Sequence, residues 1–165
     1  MKREYTREEM MEKLMSIKRL NDYAFIGTDV IVGFLDESEK DFEDTYKFLE
    51  EASISKFHIF RFSKRQNTAA YYLSKRLTEA PENIKRERAK KLAELGVKKY
   101  QLFLQKHLNK TFTALFLKSR MSGFQEVLLS NQIPALIKTD KNYVSQIKNV
   151  KITEYKNGRL FGKFV

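Results

Sequence analysis

The 165-residue chain contains no cysteine. That excludes disulfides, thiolate zinc sites, cysteine nucleophiles and any iron–sulfur cluster held by the chain's own thiolates. No apolar run approaches the roughly 20 residues that a membrane-spanning helix needs. The opening MKREYTREEM lacks the pattern of a signal peptide. A cytoplasmic protein with no membrane partner is the expectation. Only two histidines are present, His58 and His107, and neither is spaced to share a metal with another ligand. There is no internal repeat and no low-complexity stretch. What is present suffices for a folded chain: 42% apolar and 13% aromatic residues can build a core although 32% are charged. The length fits one domain or two small ones.

The net charge of +11 is unevenly placed. Residues 1–60 hold 9 Lys/Arg against 14 Asp/Glu, and residues 61–165 hold 23 against 7. The basic segment is a candidate for a phosphate-backbone partner. A basic surface that serves solubility explains the same charge equally well.

Thr6 and Glu9 form a T-x-x-E capping box, and Met10, Leu14 and Ile17 follow on one helical face. Residues 24–34 read as a strand. Their Val30-Ile31-Val32 run is continuous rather than alternating, the pattern of a strand buried on both faces of a parallel sheet. Ser38 offers an N-cap with Glu39 and Asp41 in the first turn, and the helix runs to about Ser53. A second strand follows at 56–62. Helix, strand, helix, strand with short connections predicts parallel α/β structure, a slice of a larger repeating unit. After a basic connection with a short helix at 69–76, Pro81 opens a long helix to about Leu108. Ile84, Leu92, Leu95, Leu102 and Phe103 mark its apolar arc, and Gly96 lies inside it.

Beyond Lys110 short strands are expected at 110–117, 123–129, 135–139, 149–155 and 159–165, with an Asn157-Gly158 hairpin turn. About 55 residues suffice for a five-stranded OB-like barrel. The expected organisation is residues 1–80, a connecting helix at 81–108, and a β-barrel at 109–165.

Few residues are set for catalysis. His58, between Phe57 and Ile59, reads as a packed, hydrogen-bonded side chain. Glu39, Asp41, Glu43 and Asp44 read as a solvated helix face. Asp29 stands inside a strand, where a carboxylate needs a partner or an open sheet end. Ligands of parallel α/β folds bind at the C-terminal ends of strands, so Asp29, Gly33 and Phe34 are candidates for a site. A structural hydrogen bond explains Asp29 slightly better. Arg61, Lys64 and Arg65 leave a strand end beside Phe60 and Phe62, a mix that suits phosphates and stacked bases. Lys138, Lys141, Tyr143, Lys148, Lys151, Lys156 and Arg159 form a similar set near the C-terminus, and a merely soluble basic surface fits them as well.

Several segments together resemble one family. MKREYTREE resembles the M-x-R-x-Y-T-x-E-E stretch of radical S-adenosylmethionine methylthiotransferases. TDVIVGFLDESEKDFEDTYKFLEE resembles their T-D-I-I-V-G-F-P-G-E-T-E-E-D-F-E-E-T stretch, and SKFHIFRFSKRQNTAA their S-K-L-H-V-F-P-Y-S-x-R-x-G-T-x-A segment. The last 55 or so residues resemble the TRAM domain, a small OB-like tRNA-binding barrel. The wording Lys-Phe-His-Ile-Phe is nearest the branch acting on threonylcarbamoyladenosine, with the isopentenyl-adenosine and ribosomal-protein branches as runners-up. Leu35-Asp36 replaces the family's Pro-Gly, Asn67 its Gly, and Ala69 its Pro. The N-terminal domain and the C-x-x-x-C-x-x-C motif are missing, and Met1 aligns with an internal methionine.

The resemblance implies the C-terminal part of an enzyme that inserts a methylthio group at C2 of a modified adenosine next to the tRNA anticodon. The implied fold is half a TIM-like α/β barrel followed by the TRAM barrel. S-adenosylmethionine and 4Fe–4S clusters are implied for the full-length enzyme, with none expected on this chain, which alone is expected to be inactive. Asp29, Ile31, Gly33, Phe34, Phe60 and Phe62 fall in the implied cofactor wall. Arg61, Lys64, Arg65, Lys138, Lys141, Tyr143, Lys151 and Arg159 are the implied tRNA contacts. The competing reading is a standalone nucleic-acid-binding adaptor. Strands cut loose from a barrel also predict self-association through their edges.

Overall fold

The computed structural model describes residues 4–121 and 123–165. Met1, where the family resemblance begins, lies outside the described residues. Contacts divide the chain into two units, Met1–Leu20 with Ile26–Lys99, and Asn21–Phe25 with Tyr100–Val165.

The first unit starts with α1 (Arg7–Leu20), capped as its sequence predicts. The Glu9 amide donates to Thr6 Oγ1 at 3.2 Å, and the Thr6 amide donates to Glu9 Oε2 at 2.8 Å. Strand β1 (Gly27–Val32) leads to α2 (Glu39–Glu51), where Ser38 and Asp41 form a second capping box. The Ser38 hydroxyl donates to the Asp41 carboxylate and holds its pKa below the ordinary range. Strand β2 (Lys56–Arg61), the short α3 (Ala69–Leu73) and α4 (Glu82–Gln105) follow, the last six residues of α4 belonging to the second unit. Helix α4 begins just after Pro81, which supplies the carbonyl for the Lys85 amide.

Val30, Val32, Phe42, Leu49, Phe57, Leu92 and Leu95 share the core of this unit. Gly96 belongs there for a steric reason. A Cβ at that position would lie 3.1 Å from the Phe57 ring, so the glycine lets α4 approach β2 closely. Lys99 reaches from α4 to the carbonyls of Leu49, Glu50 and Ala52, supplying donors that the end of α2 lacks. Burial there pushes the Lys99 pKa down.

Strands β1 and β2 pair in parallel, with Asp29 opposite His58 and Ile31 opposite Phe60. The fold-class expectation of half a TIM-like barrel is corrected here, because among the described residues no third strand joins this open two-stranded sheet. The expected burial of Val30-Ile31-Val32 on both faces is corrected too. Val30 and Val32 are buried against helices, whereas Ile31 is 41% exposed on the uncovered face. The helices cover only one side, so the strand alternates.

The second unit holds β3 (Thr111–Met121), β4 (Phe124–Leu129), β5 (Pro134–Lys138), β6 (Ile147–Lys156) and β7 (Arg159–Phe164). They pair in the order β3-β4-β5-β7-β6, and β6 pairs back onto β3. All neighbours are antiparallel except β5 and β7. The chain is thus a mixed α/β fold of a two-stranded open sheet and a five-stranded mixed sheet. Asn157 and Gly158 take φ of 51° and 76°, as their hairpin turn requires. His107 is buried in this unit's core, stacked on Phe112. Its Nδ1 lies 2.9 Å from the Phe103 carbonyl, so Nδ1 donates there and Nε2 accepts from the Asn131 amide at 2.7 Å. Leu102, expected on the apolar arc of α4, is instead 54% exposed.

Candidate functional site

The C-terminal ends of β1 and β2 are fixed by two basic residues of α4. Lys85 is only 1% exposed, and its Nζ donates to the Phe62 carbonyl at 3.1 Å, to Glu79 and to Glu82. Burial opposes its charge, but the hydrogen bonds it donates to the two carboxylates raise its pKa on balance. Gly33, with φ of 72°, lies directly against the Lys85 stem. Arg88 bonds Glu37 at 2.6 Å and Glu39 at 3.0 Å, and Glu37 in turn accepts the Gly33 amide at 2.6 Å. The sequence held a signal for both residues. Lys85, Arg88, Leu92, Leu95 and Lys99 recur at helical spacing, so the two cations lie on the stripe that faces the core.

These braces shape a groove of about 560 Å³. Ile31, Phe34, Phe60 and Phe62 line it, with Arg61 and Arg65 among the polar contributors. Phe34 and Phe62 meet edge to face at 5.0 Å. Four of the six residues named for a cofactor wall therefore come together. Gly33 packs on Lys85 instead. Asp29 faces solvent on the open sheet, its Oδ1 3.2 Å from His58 Nδ1. His58 is thus hydrogen-bonded as expected but not packed. Of the four acidic residues read as a solvated face of α2, Glu39 is engaged by Arg88, Asp41 in the cap and Asp44 by Lys40, while Glu43 is exposed.

In the second unit, Lys138 ends β5, Lys151 lies on β6 and Arg159 opens β7, while Lys141 and Tyr143 occupy the β5–β6 connection. Lys138, Lys141 and Arg159 are exposed, and Lys151 is half-buried. Tyr143 is no free stacking platform. It packs edge to face against Phe116 and Phe164, and the Lys148 ammonium sits 4.9 Å above its ring.

No family model matches the chain. Individual proteins do. It is 47% identical over 118 residues to the threonylcarbamoyladenosine tRNA methylthiotransferase MtaB of Aquifex aeolicus, covering 72% of this chain and 28% of that protein. It is 32% identical over all 165 residues to the tRNA-2-methylthio-N(6)-dimethylallyladenosine synthase of Campylobacter jejuni, covering 37% of that protein. The corresponding synthase of Wolbachia pipientis from Culex pipiens is 30% identical over 98% of the chain and is covered to 37%. The chain is homologous to the radical S-adenosylmethionine tRNA methylthiotransferases. It spans about a third of the length of the relatives it matches and resembles their C-terminal region.

The departures from the methylthiotransferase pattern now have a physical reading. Asp36 and Asn67 stand where the pattern has glycine, and both keep a left-handed backbone, with φ of 55° and 62°. Aspartate and asparagine tolerate that region better than other side chains do. Asp36 also exchanges two hydrogen bonds with Thr78, of 2.8 and 2.7 Å.

The groups implied by the methylthiotransferase homology fit this chain unequally. An iron–sulfur cluster needs thiolates, and the sequence has none. Among the described residues no group of three or more histidine or acidic side chains could hold a metal ion. The aromatic groove, by contrast, suits the flat, apolar faces of a nucleobase. Among the described residues no helix is long and apolar enough to cross a membrane.

Proposed function

We propose that this chain serves as the C-terminal part of a tRNA methylthiotransferase that modifies C2 of an adenosine next to the anticodon. The observation that carries this reading is the 32% identity across all 165 residues to a tRNA-modifying relative. The first unit contributes part of the S-adenosylmethionine wall, with Ile31, Phe34, Phe60 and Phe62 against the adenine. S-adenosylmethionine, when bound beside a cluster held by cysteines outside this sequence, supplies the radical chemistry. The residues of this chain bind and orient, and their apolar faces exclude water from the ring. The second unit, TRAM-like, holds tRNA through its phosphates, using Lys138, Lys141, Lys151 and Arg159. By itself the chain carries out no methylthio transfer.

Titrating labelled tRNA with the full chain tests the RNA reading. Four phosphate contacts predict affinity falling on the order of 10²-fold between 50 and 200 mM salt. Affinity that does not change with salt would refute the electrostatic grip.

A further inference from the structure

We propose that the second unit carries a guanine-nucleotide site, in which Glu126 reads the edge of the base and Arg159 takes the phosphate. The site is separate from the groove of the first unit and does not rest on how that groove is read.

A cleft of about 500 Å³ in this unit is lined from α4, β3, β4, β5 and β7. Its volume falls among small-molecule sites, which run roughly 300–1,000 Å³. Tyr100, Met121, Pro134 and Leu136 give it apolar walls, and Glu126 and Arg159 are its charged members.

Glu126 is out of place in such a basic unit. From Tyr100 to Val165 the chain has 11 Lys/Arg and three acidic residues, Glu126, Asp140 and Glu154. Asp140 and Glu154 are exposed, whereas Glu126 is half-buried in the cleft. Its backbone is held in register opposite Leu136, but among the described residues its carboxylate has no partner. A carboxylate drawn partly out of water without a donor is costly, and a ligand that brings donors recovers that cost. Arg159 is exposed, with Nη1 4.0 Å from Met121 Sδ and no carboxylate paired to it among the described residues. Its cross-strand neighbour is Lys156, so the positive charge at that rim is doubled.

The matching ligand presents donors to Glu126, a negative group to Arg159 and a flat apolar body to the walls. A bare phosphate fails the first condition, because Glu126 repels it. Guanine meets it. Its pairing edge carries two adjacent donors, N1–H and the N2 amino group, which face the two oxygens of one carboxylate. Adenine puts an acceptor, N1, beside its single amino donor. The guanidinium of Arg159 offers a fork of donors to the phosphate.

Calorimetric titration of the full chain with GMP, IMP, AMP and guanosine tests the assignment. GMP should bind most tightly. IMP lacks the N2 amino group and should bind about tenfold more weakly, the scale of one hydrogen bond to a charged group. AMP should be weaker still. E126Q is nearly isosteric, and with an unchanged circular dichroism spectrum it should lose the order GMP over IMP over AMP. R159M should bring GMP down to the affinity of guanosine while guanosine itself is unaffected. UGU and UAU trinucleotides distinguish the source of the base: UGU tighter than GMP identifies guanine in an RNA strand, and UGU weaker than GMP identifies the free nucleotide. A wild type that binds GMP no better than AMP, or binds neither, overturns the proposal, as does a guanine preference that survives in E126Q.

Discussion

Replacing Gly33 with alanine probes the brace that shapes the groove. Two costs combine. The left-handed backbone penalises any Cβ by roughly 1–2 kcal/mol. The new Cβ would also lie 2.3 Å from Cγ and 2.7 Å from Cδ of Lys85. That stem cannot swing aside freely, because its Nζ is tied to Phe62, Glu79 and Glu82. Overpacking of this kind costs about 1–3 kcal/mol, giving roughly 2–5 kcal/mol in all. Gly158 is the control. Its φ of 76° imposes the same backbone penalty, but a Cβ there meets nothing within 4 Å. Urea unfolding of G33A and G158A, followed by circular dichroism, should therefore separate them by about 1–3 kcal/mol. In a double-mutant cycle, K85A should remove most of that excess. Equal losses for the two glycine variants would refute the claim that Lys85 constrains Gly33.

Acid should weaken the same network. The Lys85 hydrogen bond holds the Glu79 carboxyl below the ordinary range, opposed by burial and aided by Lys64. The folded pKa lies below the unfolded one, so this stabilisation is present above about pH 4.3 and is lost as pH falls through the folded value. E79Q should flatten the acid limb of stability plotted against pH, and an unchanged limb would contradict the assignment. The open sheet should also promote self-association, since Phe60 is 52% exposed and β1 and β2 have no other strand partner among the described residues. Sedimentation equilibrium should show mass rising with concentration, less so in F60K; a constant 19.6 kDa would end that idea.

The elements were legible in the sequence wherever a local rule sufficed. The Thr6 capping box, the Ser38 N-cap and the Asn157-Gly158 turn depend on residues close in the chain, and each forms as expected, as does the parallel pair of strands. The burial of β1 was not legible, because Val30-Ile31-Val32 reads alike whether one face is covered or two. Only the packing of helices on a single side distinguishes them. The groove was half legible: aromatic residues at strand ends announced it, but the pairing of Arg61 and Lys64 depends on Glu79 and Glu82, which enter from a distant helix start. Lys85 and Arg88 look like surface charges by type, and only their position on the buried stripe of α4 gives them away.

The left-handed positions at Asp36 and Asn67 bear on how such a loop drifts during evolution. At these two points this chain takes a positive torsion angle without a glycine. Glycine, asparagine and aspartate are interchangeable spellings of one instruction to the backbone. A motif written in glycines would count this chain as broken at both places, whereas one written in dihedral angles would count it as intact.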